Sequence, residues 1–196
     1  MGLDLRMYPV RLDSASIRMI RIDVGAWETA VDHPPFCSAF NDPQPDISLR
    51  LQAELPKGVE VWNYPDRSYQ QVEYVLDPPG YRRQSRWEDR ERSMPYRIVE
   101  GDEDFAAHAT SGQGVEWRCS TAAFMAQAVG VIDGFDPAAV RREFSVAEMY
   151  ELGVYKVDPS DNDDEAFART VARLEQLGDY YRRLADQGVD VIVEKY

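Results

Sequence analysis

The chain has 196 residues, 44% of them hydrophobic, which is enough for one domain with a sizeable core and argues against wholesale disorder. Its 22 basic and 35 acidic residues give a net charge of −13. This charge argues against a surface that as a whole tracks nucleic acid or an anionic membrane, although a local basic site remains compatible with it. With no stretch near the ~20 apolar residues of a membrane helix and no signal-peptide pattern, we expect a cytoplasmic protein. The strong preference for arginine over lysine indicates a bacterial one.

The first third of the chain begins with a strand. Apolar and polar residues alternate over 3–7, which is typical of a half-buried strand. Asp13 or Ser14 can cap a short helix after it. A helix over 46–55 and a short strand over 59–62 are expected next.

The middle of the chain is more polar. Asp66 can cap a helix that the Asp-Pro-Pro-Gly run at 77–80 stops. A helix over 87–92 and a strand over 96–99 are expected to follow. We interpret the polar, arginine-rich stretch at 78–97 as an insertion-like segment within a single domain.

The C-terminal half has clearer signals. We expect, in order, a strand over 115–118, a helix capped by Ser120 or Thr121, a helix capped by Asp136, a helix opened by a capping box at Ser145, a long helix over 164–187, and a strand over 189–193. The closing strand is apolar on both faces, which predicts that helices cover it on both sides. The pattern therefore predicts a single compact α/β domain with a central mixed β-sheet flanked by helices.

This half also carries the residues of a family resemblance. They are the run Val-Arg-Arg-Glu-Phe-Ser at 140–145, Met149, the pair Val154-Tyr155, Tyr181-Arg182-Arg183, Gly188 and the apolar run at 191–193. Together they resemble the YfbM-like family of uncharacterised bacterial proteins, over about residues 112–196. Lys156 stands where the family has a proline, so the turn after it is expected to differ. The resemblance implies an α/β fold with a central sheet and flanking helices, and it supplies no catalytic motif.

The polar loop before the strand at 115–118 has the composition of a binding site. It combines an imidazole, hydroxyls, an amide and two glycines, and an arginine follows on the strand. Such loops bind anionic groups through backbone N–H donors, and an imidazole can act as a general base near neutral pH. The candidate residues are His108, Thr110, Ser111, Gln113 and Arg118. The alternative interpretation is a flexible polar loop with a surface histidine, and no acid partner for a Ser-His pair can be assigned.

A second candidate site is the positive segment at 81–97. It holds six arginines against three acids, in a chain that is otherwise strongly acidic. Aromatic residues lie among the arginines, a mixture that stacks on bases or docks on an acidic partner. The candidate contacts are Arg82, Arg83, Arg86 and Trp87. Two alternatives stay open: a solvated helix with internal Arg–Glu pairs, or a segment that docks on acids of its own chain or of a second copy.

The remaining motifs predict neither a metal nor a cofactor. Cys37 and Cys119 lie in no Cys-x-x-Cys pair, and we expect both to be reduced and inert. The acidic turn at 158–165 fails the calcium-loop template, because Asp163 stands where that template needs glycine. Acids at this position instead favour the start of a helix.

We therefore hypothesise a small acidic protein that works by binding another protein, in the manner of immunity proteins or inhibitors. The alternative is a small-ligand-binding protein or enzyme with a site at the 101–118 loop. Binding of single-stranded nucleic acid through the arginine segment is a third hypothesis. Whether the protein is an enzyme stays open at this level, and a homo-oligomer is compatible with the sequence.

Overall fold

The computed structural model describes residues 4–23, 25–37, 44–84, 87–105 and 116–195. Within these residues one five-stranded sheet runs through the molecule. Its strands are β1 (Leu5–Val10), β2 (Trp62–Asn63), β3 (Glu103–Asp104), β4 (Glu116–Ser120) and β5 (Asp190–Lys195), in the spatial order β2-β1-β5-β4-β3. The last strand of the chain is therefore the central strand of the sheet.

Helices cover both faces of this sheet. In chain order they are α1 (Ala15–Ile20), α2 (Gly25–Val31), α3 (Asp46–Glu54), a 3-10 turn at Pro65–Arg67, α4 (Tyr69–Leu76), α5 (Pro78–Arg83), α6 (Trp87–Glu91), α7 (Met94–Glu100), α8 (Ala122–Asp133), α9 (Pro137–Arg141), α10 (Val146–Glu151) and α11 (Asp163–Asp186). The predicted single α/β domain with a central sheet and flanking helices is confirmed.

All strand pairings in the described residues are antiparallel, whereas the sequence pattern favoured a mixed sheet. The longest ladder joins β1 and β5, from Leu5 opposite Lys195 to Val10 opposite Asp190. An apolar run on both faces of a strand reports burial on both sides, and burial does not reveal the direction in which a neighbouring strand runs. The sequence therefore predicted that β5 is buried, but it could not predict that the neighbouring strands are antiparallel to it.

Four of the predicted helix caps form hydrogen bonds. The side chains of Ser14, Thr121, Asp136 and Ser145 each accept a backbone N–H from the first turn of the helix that follows. Each such cap contributes about 1 kcal/mol to helix stability. Asp66 does not cap a helix: its φ is 60°, it lies in the 3-10 turn, and α4 begins at Tyr69.

The strand predicted over 96–99 is wrong, because α7 occupies these residues. The Ser93 side chain caps this helix by accepting the N–H of Tyr96, and Pro95 lies in its first turn. Proline has the backbone angle of a helix start and no N–H to lose there. Over four residues, the apolar pattern could not distinguish a helix from a strand.

The sheet separates two apolar layers. On one face Val191 and Val193 of β5 pack with α4, α7, α8, α10 and α11. On the other face Ile192 packs with Tyr8, Trp117 and the helices α1 to α3. All three β5 side chains are at most 2% exposed, so the predicted burial of this strand on both faces is confirmed.

Candidate functional site

The structure describes only some residues of the two predicted sites. Outside the described residues lie His108, Thr110, Ser111, Gln113 and Arg86, together with the side chain of Trp87. Arg118 is described and lies on β4. Its Nη1 is 2.6 Å from the Asp104 carboxylate, its Nε donates to the Gly101 carbonyl at 3.1 Å, and its Nη2 donates to the Asp102 carbonyl at 3.2 Å. Arg118 therefore holds β3 against β4 where the chain leaves for the 106–115 segment.

In the arginine segment, Arg82 docks on acids of its own chain. From α5 it reaches α10, where its Nε is 2.6 Å from Glu148 Oε1, and its Nη1 is 3.1 Å from Glu143 Oε2. The hydrogen bond from Arg82 lowers the pKa of Glu148. Arg83, at the end of α5, is exposed.

Two further arginines of the segment also find acids within the chain. Arg97 lies on α7, with its Nη2 2.5 Å from the carboxylate of Asp102. Arg90 lies on α6 and reaches Glu73 and Glu100. Arg82, Arg90 and Arg97 therefore all bind acids of their own chain. This is one of the alternatives that the sequence left open.

Arg90 belongs to a buried ionic cluster between the sheet and the helices α4, α6 and α7. Glu73 is 1% exposed and Glu100 is 2% exposed. Arg90 Nη2 lies 2.9 Å from Glu73 Oε2 and 3.4 Å from Glu100 Oε1. Lys195, at the end of β5, places its Nζ 2.6 Å from Glu100 and 2.7 Å from Glu116. Buried charges persist only when they are paired, so this cluster fixes α4, α6 and α7 to the end of β5.

The electrostatics of the cluster are dominated by burial. Burial raises the pKa of the Glu73 carboxyl well above its ordinary value, and the neighbouring Glu100 raises it further, against the opposing effect of Arg90. Burial lowers the pKa of Lys195, but the two glutamates outweigh burial and the net shift is upward. Lys195 therefore stays a cation at neutral pH.

This cluster was not predicted from the sequence, because its members are far apart in the chain. A signal was present: Glu73 lies inside the apolar stripe of α4, Glu100 follows Ile98 and Val99, and Lys195 follows an apolar strand. A charged residue at a position predicted to be buried indicates a paired or functional group. The sequence therefore indicates which charged residues are buried, and only the fold shows which of them are in contact.

A second feature is a groove of about 260 Å³ between α8, α9 and α11. Its floor is apolar and includes Ile132, Phe135, Val171 and Leu174. Gly178 lets α11 approach α8 closely here, since a Cβ at this position would lie 3.0 Å from Ile132 Cγ2. The groove is therefore built by close packing of two helices.

The rim of the groove is acidic. Asp133, Glu175 and Asp179 supply three carboxylates, and Arg182 is the basic residue among the lining residues. Arg182 is already bound, with one nitrogen 2.7 Å from Asp133 and another 2.8 Å from Asp179. Glu175 is exposed. An apolar floor with an acidic rim matches a side chain that has an apolar stem and a cationic head.

The described residues offer neither a metal-binding cluster nor a helix that could cross a membrane. No group of three or more His, Cys, Asp or Glu side chains there is arranged to hold a metal ion. None of the helices in those residues has the length and apolar character that crossing a membrane requires. The acidic turn before α11 caps that helix, since the Asn162 side chain accepts the N–H groups of Asp164 and Glu165.

Comparison with known proteins places the chain in a family. The model of a family described as "Domain of unknown function (DUF1877)" matches residues 52–194, which includes the arginine segment. The crystal structure of YfbM, a protein of unknown function from Escherichia coli, aligns with a TM-score of 0.64 over 98% of this chain and 99% of that one, at 14% sequence identity. At this identity the likeness shows the fold alone. No curated protein matches the chain. The resemblance to the YfbM-like family is thus confirmed, and the chain belongs to the DUF1877 family.

Proposed function

We propose that this protein is an interaction module that binds a basic segment of another protein in the groove between α8, α9 and α11. The observation that carries the proposal is the pairing of an apolar floor with a rim of three carboxylates and one arginine, which leaves the rim with a surplus of acid. An arginine or lysine of the partner would lay its stem on the floor and direct its charge to Glu175 and to Asp179, whose carboxylate also binds Arg182. Such an anchor in a pocket is typical of the residues that dominate binding energy at interfaces.

The volume of the groove is compatible with a single side chain as its occupant. Sites for small molecules measure roughly 300–1,000 Å³, and the groove, at about 260 Å³, lies just below this range. Its volume suits one long side chain and its immediate neighbours.

The charge of the surrounding chain supports a basic partner. Residues 98–196, which supply the groove, hold nine basic and twenty acidic residues. Arg141 and Arg169 are paired with Asp164 and Asp161, so part of this small basic complement is already neutralised. A surplus of acid attracts a basic protein and accelerates its association.

Affinity capture with charge-reversed variants tests the proposal. The groove variant carries Glu175→Lys and Asp179→Lys. The matched control carries Glu28→Lys and Asp32→Lys, two exposed acids at α2 on the opposite face of the sheet. Each variant is compared with the wild type on lysate from the host organism, after circular dichroism has shown that it is folded.

We expect the wild type and the control to retain a basic protein at low salt, and the groove variant to retain about tenfold less of it. High salt should release the partner from all three. Equal capture of a protein by the wild type and both variants, or capture of no protein by the wild type, contradicts the proposal.

A further inference from the structure

Arg90 lies in a pocket with the features of a guanidinium site. Its Nε and Nη2 donate to the two oxygens of Glu73 at 3.0 and 2.9 Å, and Nη2 also faces Glu100. The guanidinium carbon lies 5.5 Å from the ring centre of Tyr81 and 5.7 Å from that of Tyr96. A two-pronged carboxylate and two aromatic rings are the groups that recognise a guanidinium in proteins.

The arginine that fills this pocket comes from a short and polar element. Helix α6 has five residues, and Glu88 and Asp89 in it are exposed. A helix of this length is not stable by itself, so its position depends on tertiary contacts such as the grip of Arg90 on Glu73. The acids of the pocket, in contrast, lie on α4 and α7, which belong to the main core.

The pocket has polar capacity that its present contacts do not use. The Tyr69 hydroxyl is buried and finds no hydrogen-bond partner among the residues that the structure describes. Burial raises the pKa of Tyr69, and Glu100 and Glu73 raise it further, which places this hydroxyl in the field of both carboxylates. The oxygen of the Tyr69 hydroxyl is therefore a further acceptor for a cation near these acids.

We propose that Glu73, Glu100, Tyr81 and Tyr96 form a binding site for a guanidinium group, which Arg90 occupies from within the chain and which an external guanidinium enters when α6 moves away. The site accepts the cation through Glu73 and holds its plane beside the two rings. The ligand class is an alkylguanidinium, either free or as the arginine side chain of a peptide.

The variant Arg90→Ala tests the site by emptying it. We expect Tm to fall by about 10 °C, because the buried Glu73 loses the arginine that binds it, while Glu100 keeps its contact with Lys195. Ethylguanidinium at ~50 mM should restore at least half of the loss, since a ligand that binds only the folded state stabilises it. The same concentration of ethylammonium or urea should restore none of it. The wild type should be stabilised much less than Arg90→Ala, because an added guanidinium has to displace Arg90 from the site.

Two further samples make the test specific. Adding Glu73→Gln to Arg90→Ala removes the two-pronged acceptor, and this double variant should show no ethylguanidinium effect. A blocked Gly-Arg-Gly peptide separates the sources of the ligand: rescue by the peptide assigns the site to arginine side chains, and rescue by ethylguanidinium alone assigns it to small cations.

A variant that does not fold by itself is tested by refolding from urea with and without ethylguanidinium, beside the wild type. Recovery of folded protein only with ethylguanidinium supports the site. The proposal is overturned if ethylguanidinium gives neither a rise in Tm nor recovery in refolding, or if the double variant responds as strongly as Arg90→Ala.

Discussion

Gly101 combines a backbone conformation that favours glycine with a close approach to a neighbouring strand. It ends α7 with φ 105° and ψ 149°, a region that only glycine occupies readily. A Cβ here would lie 2.7 Å from the Arg118 Cβ and 3.3 Å from the backbone nitrogen of Cys119. Both neighbours belong to β4, and the Gly101 carbonyl accepts a hydrogen bond from Arg118. The substitution Gly101→Ala therefore strains the backbone and separates α7 from the sheet.

The expected loss follows from these two effects. The backbone conformation costs about 1–3 kcal/mol for a residue other than glycine, and overpacking costs another ~1–3 kcal/mol. We expect Gly101→Ala to lower the free energy of unfolding by about 4 kcal/mol. The matched control is Gly130→Ala in α8, where a Cβ meets nothing within 4 Å. This control should stabilise the protein by about 0.5–1 kcal/mol, because alanine favours a helix over glycine.

Urea denaturation followed by tryptophan fluorescence measures both variants against the wild type. The comparison of midpoints at equal slope gives the change in stability. A loss below about 1 kcal/mol for Gly101→Ala, or the same change in both variants, would refute the close contact between α7 and β4.

Three further predictions concern charge and reactivity. The pKa of Glu73 is raised in the folded chain, so the folded state keeps a proton that the unfolded state releases, and the wild type should lose stability relative to Glu73→Gln as the pH rises above 4.5, the ordinary value for this carboxyl. A difference in unfolding free energy that does not change with pH above this value speaks against the raised pKa. Burial raises the pKa of the Cys119 thiol to about 11, so at pH 8 a thiol reagent should modify the half-buried Cys37 first and Cys119 only after unfolding. Rapid modification of both thiols in the folded protein would be inconsistent with the structure. Removing the partly exposed ion pair with Arg82→Ala should cost about 1 kcal/mol in urea denaturation, and an unchanged midpoint would show that the contact with Glu148 adds no stability.

The local signals in the sequence were reliable where one physical rule dominates. A polar cap followed by spaced apolar residues located the starts of α8 and α9, and the long apolar stripe located α11 to within one residue at each end. These elements depend on contacts between residues a few positions apart. Such contacts are visible in a sequence.

The remaining features depend on contacts between distant residues. The direction of the strands beside β5 was decided by tertiary packing, whereas the helix at 96–99 begins at a local cap, Ser93, that the apolar pattern alone did not reveal. The buried cluster brings Glu73 and Lys195 to one end of the sheet, although 121 residues separate them in the chain. Composition predicted a positive segment, but it could not show that Arg90 turns inward onto the acids of α4 and α7.

Site-specific photo-crosslinking in cells tests the proposed docking groove most directly. Val131 is 40% exposed on α8, beside the groove residues Ile132 and Asp133, and Leu49 is 48% exposed on α3 in the opposite layer. Benzoylphenylalanine is introduced at position 131 in one variant and at position 49 in the other. Both positions are exposed, and each reports contacts on one side of the sheet. We expect position 131 to form an adduct with a basic protein and position 49 to form none. An adduct of equal yield at both positions, or no adduct at position 131, would contradict a binding groove on this face.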